Sequence, residues 1–288
     1  MCGHCGCGDE TAATVLNLET GKQRTVKRNE REHDHAHAHG HLHHHDQSHS
    51  HEHSRSHVHG GAPPADQVLT LEAQVLAKND AIAERNRAWL KGREILTLNL
   101  VSSPGAGKTT LLERTIRDLR DELGLCVVEG DQATARDGER IRAAGAPVVQ
   151  VNTGAGCHLD AEMVARGLRE LKPLPGAVVM IENVGNLICP ALFDLGERAK
   201  IVILSVTEGD DKPLKYPHMF KAAELMVLNK MDLLPYVDFD PARALANALQ
   251  VNPSIGSIRL SARTGEGLDA WYGWLRDERA RVRDLAFT

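Results

Sequence analysis

The ten residues Val101-Ser102-Ser103-Pro104-Gly105-Ala106-Gly107-Lys108-Thr109-Thr110 constrain this chain more than any other stretch. Ahead of them, residues 95–101 are apolar and alternate, which reads as a strand. Behind them, Leu111-Leu112-Glu113-Arg114-Thr115-Ile116 reads as the opening of a helix. A strand, a glycine-rich turn and a helix in that order make a phosphate cradle. Successive backbone N–H groups converge on one centre, and the helix start adds partial positive charge. Lys108 is placed to reach the outer phosphates and the Thr109 hydroxyl to ligate Mg²⁺. The usual pattern is G-x-x-x-x-G-K-[ST]; Ser102 stands where its first glycine would be.

Apolar patterning beyond the cradle alternates between strand and helix. Strands are predicted at 96–101, 125–128, 148–151, 178–181, 201–206, 226–228 and 258–260. Helices are predicted at 109–123, 136–144, 159–171, 214–223, 241–249 and from 268 onward. This alternation predicts an α/β P-loop NTPase, with a mainly parallel sheet, helices on both faces and ligands at the C-terminal strand ends. Val68, Leu71, Val75, Leu76, Ile82 and Leu90 are spaced for a long amphipathic helix over 67–92, with Asp66 as its N-terminal cap. The nucleotide domain, this helix included, is expected to span 66–288.

Asn229-Lys230-Met231-Asp232 follows the strand at 226–228. The Asp232 carboxylate can accept from guanine N1–H and N2–H₂ together, a donor pair that adenine lacks, so the motif selects the base. Asn229 and the Lys230 stem fix the loop and cover the ring, and the backbone at Ser261-Ala262 can meet guanine O6. Glu182 and Gly185, in Ile181-Glu182-Asn183-Val184-Gly185, stand where GTPases commonly carry D-x-x-G. Glu182 can hold Mg²⁺, and the Gly185 N–H can sense the γ-phosphate. Asp131 is a further Mg²⁺ partner, and Asp137 can orient the attacking water. No glutamine follows Gly185 in a water-orienting position, so intrinsic turnover is expected to be slow.

Two other groups of residues suit a soft metal. Met1-Cys2-Gly3-His4-Cys5-Gly6-Cys7-Gly8 puts three thiols in six residues, with glycines that let the backbone wrap an ion. Nickel, zinc and redox chemistry all fit residues 1–8. Cys157-His158 and Cys189 leave C-terminal strand ends at a glycine-loosened helix start and just past Gly185, and could form one three-donor site; the alternative is two buried thiols and a capping imidazole. Cys126, inside a strand, reads as core. Residues 33–59 hold thirteen of the sixteen histidines among Asp, Ser, Ala and Gly. Such a tract is expected to be disordered and to buffer metal, and 9–65 as a whole reads as tail and linker. Val15 and Leu18 lie within it and build no face. A formal net charge of −5 and ten aromatic residues argue against a nucleic-acid partner. No apolar run is long enough to span a membrane, and no signal peptide precedes the cysteines, so a cytoplasmic location is expected.

Taken together, these segments resemble the hydrogenase nickel-incorporation family, HypB. The resemblance rests on Cys2-x-x-Cys5-x-Cys7, the histidine tract, 102–110, Glu129-Gly130-Asp131, 152–160, 182–190, 229–232 and Ser261-Ala262. It implies a SIMIBI-class GTPase that dimerises face to face with GTP between its subunits. It implies GTP/GDP, Mg²⁺, Ni²⁺ and Zn²⁺ as ligands, a tight nickel site at Cys2, Cys5 and Cys7, and a weaker nickel or zinc site at Cys157, His158 and Cys189. The implied partners are a HypA-type protein and the large-subunit precursor of a [NiFe]-hydrogenase. Many members of this GTPase class carry an extra lysine early in the phosphate loop, where this chain has Ser103 and Pro104.

Overall fold

The computed structural model describes residues 13–26, 65–131, 136–154 and 156–284. The first elements are strands β1 (Ala13–Asn17) and β2 (Gln23–Val26) and helix α1 (Ala65–Lys91). β3 (Leu96–Ser102), α2 (Lys108–Leu119), β4 (Leu125–Asp131), α3 (Arg136–Ala144), β5 (Val148–Asn152), α4 (Ala161–Leu171) and β6 (Val178–Glu182) follow. Next come α5 (Cys189–Leu192), β7 (Ala199–Ser205), α6 (Lys212–Lys215), α7 (Pro217–Ala222) and β8 (Leu225–Asn229). A 3₁₀ turn (Met231–Tyr236), α8 (Pro241–Val251), β9 (Gly256–Arg259) and α9 (Leu268–Asp284) complete the order.

The strands form one sheet in the order β2-β1-β5-β4-β6-β3-β7-β8-β9. Every neighbouring pair from β5 to β9 is parallel, and β1 runs antiparallel to both of its neighbours, β2 and β5. β3 and β6 are buried along their whole length, as strands covered by helices on both sides must be. One face packs Leu98, Leu100 and Val127 under Leu111, Ile116, Ile141 and Trp271 of α2, α3 and α9. The other packs Val128, Val151 and Ile181 under Val164 and Leu168 of α4, and Val202 and Leu228 under Phe220 and Ala244 of α7 and α8. β3 lies between β6 and β7, so the loop leaving its C-terminal end opens into the crevice where such sheets hold ligands.

The fold departs from the sequence expectation in several places. Part of the stretch expected to be tail belongs to the sheet: β1 pairs with β5, Val15 opposite Val151. Val15 and Leu18 straddle the sheet, Val15 packing on one face and Leu18 on the other, so their spacing shows no single-face pattern. The turn between β1 and β2 is closed by the Asn17 side chain, which accepts from the Glu19 and Thr20 N–H groups. Helix α1 starts at Ala65, which puts Asp66 inside its first turn rather than at a cap. Val75 is exposed, because the buried face runs through Asn79, Ile82, Ala83, Asn86 and Leu90. The helix expected at 214–223 is two short ones, broken where Pro217 has no N–H to donate. α4 begins at Ala161, with Asp160 capping the Met163 N–H at 2.8 Å, so Cys157 and His158 stand in the preceding loop instead of at a helix start.

Candidate functional site

The loop after β3 wraps a cavity of about 590 Å³. Pro104, Gly105, Gly107, Lys108, Thr109 and Thr110 form one wall, and Asp131, Asp137, Glu182 and Gly185 line the rest. Gly107 has φ +100, and a Cβ there would lie 2.5 Å from Asn229 Nδ2, so only glycine fits. Ser103 and Ala106 shape the turn through their backbones: the Ala106 N–H donates to the Ser103 carbonyl at 3.4 Å. Lys108 Nζ donates to Ser102 Oγ at 2.7 Å, so the residue in place of the first glycine steadies the lysine. Burial lowers the Lys108 pKa, and the nearby Glu182 charge opposes that shift.

Glu182 Oε1 accepts from Thr109 Oγ1 at 2.6 Å, while its Oε2 is buried without a hydrogen-bond partner. Glu129 is its register partner on β4 and likewise buries an unpartnered Oε2. Burial, with Glu182 second, pushes the Glu129 pKa up to about 9. Burial pushes Glu182 to about 7, against the pull of Lys108. Two buried carboxylates with spare oxygens, one of them bonded to the Thr109 hydroxyl, form a donor set that suits a hard cation such as Mg²⁺. Asp137 Oδ1 is held by Arg140 at 2.9 Å, and Arg140 also reaches Glu113 at 2.8 Å.

The residues expected to read the base are joined to the cradle by hydrogen bonds. Asn229 Nδ2 donates to the Ala106 carbonyl at 2.9 Å, and its Oδ1 accepts from the Lys230 and Ala262 N–H groups at 2.7 and 3.1 Å. Lys230 Nζ donates to the Gly105 carbonyl at 2.7 Å, and its stem also lines the phosphate cavity. Asp232 Oδ1 accepts from Ser261 Oγ at 2.6 Å, which steadies the carboxylate.

Cys157, His158 and Cys189 converge, with donor atoms all within 4.8 Å of one another. The two Sγ atoms are 3.0 Å apart, and Cys157 Sγ is 3.7 Å from His158 Nδ1. The imidazole packs on Phe193 with ring centroids 4.0 Å apart. Cys126 is buried elsewhere, and burial pushes its thiol up to about 12, which suits core and not ligation. Asn183 joins the two sites. Its Oδ1 accepts from the Leu159 N–H, next to His158, at 3.2 Å and from the Val184 N–H, in the cavity wall, at 3.0 Å.

Sequence reasoning gave no role to Glu129, Arg140 or Asn183. Glu129 lay inside a quoted motif, but its burial became evident only through its pairing with Glu182. Cys2, Cys5, Cys7 and the histidine tract lie outside the described residues.

A family model described as CobW/HypB/UreG, nucleotide-binding domain, matches residues 96–258. The hydrogenase maturation factor HypB of Rhizobium leguminosarum bv. viciae is 55% identical over 224 residues, covering 78% of this chain and 75% of that protein. HypB of Escherichia coli K12 is 57% identical over 213 residues, covering 74% and 73%. The crystal structure of HypB from Helicobacter pylori in complex with nickel aligns with a TM-score of 0.66 at 36% identity, covering 71% of this chain and 96% of that one.

Proposed function

The chain belongs to the HypB family of hydrogenase maturation factors, P-loop GTPases of the CobW/HypB/UreG group, and we propose that it couples GTP hydrolysis to the delivery of nickel into a [NiFe]-hydrogenase large-subunit precursor. Nickel is the cargo, held in the loops by Cys157, His158 and Cys189 and at the N-terminus by Cys2, Cys5 and Cys7. Residues 33–59 buffer it. Zinc is the competing ion at the loop site. Two thiols and an imidazole suit both ions, and nickel is taken here because the Helicobacter pylori relative is described in complex with it.

In this reading Lys108 and the 103–110 backbone grip the phosphates, while Asp232 with Asn229, Lys230, Ser261 and Ala262 selects guanine. Thr109, Glu182 and Asp131 would hold Mg²⁺, which when bound would neutralise charge on the phosphate oxygens. Asp137 orients the attacking water, and the Gly185 N–H reads the γ-phosphate. GTP drives face-to-face pairing of two chains, and a HypA-type partner completes delivery in the cytoplasm.

The observation that carries the coupling is Asn183, whose one carbonyl oxygen serves both the residue after His158 and the residue before Gly185. A shift of the 184–185 segment on loss of the γ-phosphate would pull on the donor triangle. The test is nickel incorporation into purified apo large-subunit precursor from nickel-loaded full-length protein. Incorporation is expected with GTP and not with a non-hydrolysable analogue. Equal incorporation without nucleotide would refute the coupling.

A further inference from the structure

Helix α1 touches both segments that carry the donor triangle. Its buried face includes Asn79 and Asn86, seven residues and two turns apart, with Ile82 and Ala83 between them. A buried side-chain amide must find partners, and every partner identified for Asn86, and all but one for Asn79, is backbone of those two segments. Asn79 Oδ1 accepts from the Ala161 N–H at 2.9 Å, and Asn79 Nδ2 donates to the Asp194 carbonyl at 2.7 Å. Asn86 Nδ2 donates to the Ala161 carbonyl at 2.8 Å and to the Leu195 carbonyl at 3.0 Å. Ala161 lies three residues beyond His158, and Asp194 five beyond Cys189. The second segment is pressed onto the helix: Gly196 has φ +89, and a Cβ there would meet the Ala83 carbonyl at 2.6 Å. Arg87 adds a two-point clasp on Asp194 at 2.6 and 2.8 Å. The side-chain bond from Asn186 Nδ2 to the Cys157 carbonyl is longer, at 3.4 Å.

We propose that Asn79 and Asn86 are positioning residues for the Cys157/His158/Cys189 site, holding the 157–161 and 189–195 segments on one rigid helix so that the three donors stay converged. This rests on the reading of that triangle as a metal site. Neither asparagine lines the nucleotide cavity, so the effect falls on metal and not on nucleotide. Groups that orient ligands from outside a metal site typically change affinity by about 10- to 100-fold when removed.

The test uses the full chain with Cys2→Ala, Cys5→Ala and Cys7→Ala, so that the thiolate-to-nickel charge-transfer band reports the loop site alone. Ni(II) is titrated into this parent, into the parent with Asn79→Ala and Asn86→Ala, and into the parent with Asn252→Ala. Asn252 makes comparable side-chain bonds to the Phe220 and Ala223 carbonyls and serves as the control for general destabilisation. Expected is a loss of nickel affinity of about tenfold or more in the double variant, with GDP affinity kept and nickel affinity kept in Asn252→Ala. If the double variant does not fold, Asn79→Ala alone is read the same way, with an expected loss of about threefold. An unchanged titration, or an equal loss in Asn252→Ala, overturns the positioning role. A parent with no charge-transfer band overturns the metal reading itself, and the positioning role with it.

Discussion

Replacing Glu129 by glutamine keeps the shape of the side chain and removes its charge. Glu129 and Glu182 are register partners on adjacent strands, both buried, each with an unpartnered oxygen. Glu129 titrates at about 9 in the ligand-free fold and from an ordinary 4.5 when unfolded. Between those values the folded chain keeps a proton that the unfolded chain has lost, so stability falls as pH rises through that window. One retained proton corresponds to on the order of 1.4 kcal/mol per pH unit. Glu182, raised to about 7, adds a second such slope below neutrality. From pH 6 to 8 the parent should therefore lose on the order of 3 kcal/mol through Glu129 alone. Glu129→Gln abolishes that component, while the lowered Lys108 pKa acts in both proteins. Urea unfolding of nucleotide-free, metal-free protein at pH 6, 7 and 8 measures it. The variant should be the more stable protein at pH 8 and show a flatter pH dependence. Parallel pH profiles for parent and variant would refute the picture of two buried carboxylates paired on adjacent strands.

Three other outcomes are expected. Asp232→Asn should weaken GTP binding by on the order of a hundredfold, since two charge-assisted bonds to guanine are lost, and fluorescent-nucleotide competition against XTP and ATP reads the shift. Changing Cys2, Cys5 and Cys7 to alanine should remove one tightly bound nickel per chain by equilibrium dialysis, with weak histidine binding retained. Val15→Asp should cost several kcal/mol in chemical denaturation, because it buries a charge against Val149 and Val151; a tolerated change would mean that 13–26 does not join the sheet.

The sequence announced the parallel sheet and the phosphate loop because both are local: the strands are continuous apolar runs, and 101–110 carries its geometry in its glycines. The 229–232 loop was legible as a candidate base reader for the same reason. What stayed hidden depends on register or on distance along the chain. β1 escaped notice because Val15 and Leu18 divide between the two faces of the sheet. Glu129 looked like an ordinary strand residue until its pairing with Glu182 placed two carboxylates side by side. The face of α1 was misread because two of its buried positions, Asn79 and Asn86, are polar and are satisfied by loops more than seventy residues away. Cys157 and Cys189 were nameable as candidate ligands from their neighbours, but their 3.0 Å approach follows only from the fold.

Coupling between cargo and nucleotide is most directly tested by nickel affinity at the loop site in the two nucleotide states. The Cys2→Ala, Cys5→Ala, Cys7→Ala chain is titrated with Ni(II) once with GDP and Mg²⁺ bound and once with a non-hydrolysable GTP analogue, and the mass of the complex is followed by sedimentation. The account predicts affinities that differ by at least severalfold and a dimer formed with the analogue. Identical affinities in a chain that stays monomeric in both states would contradict it.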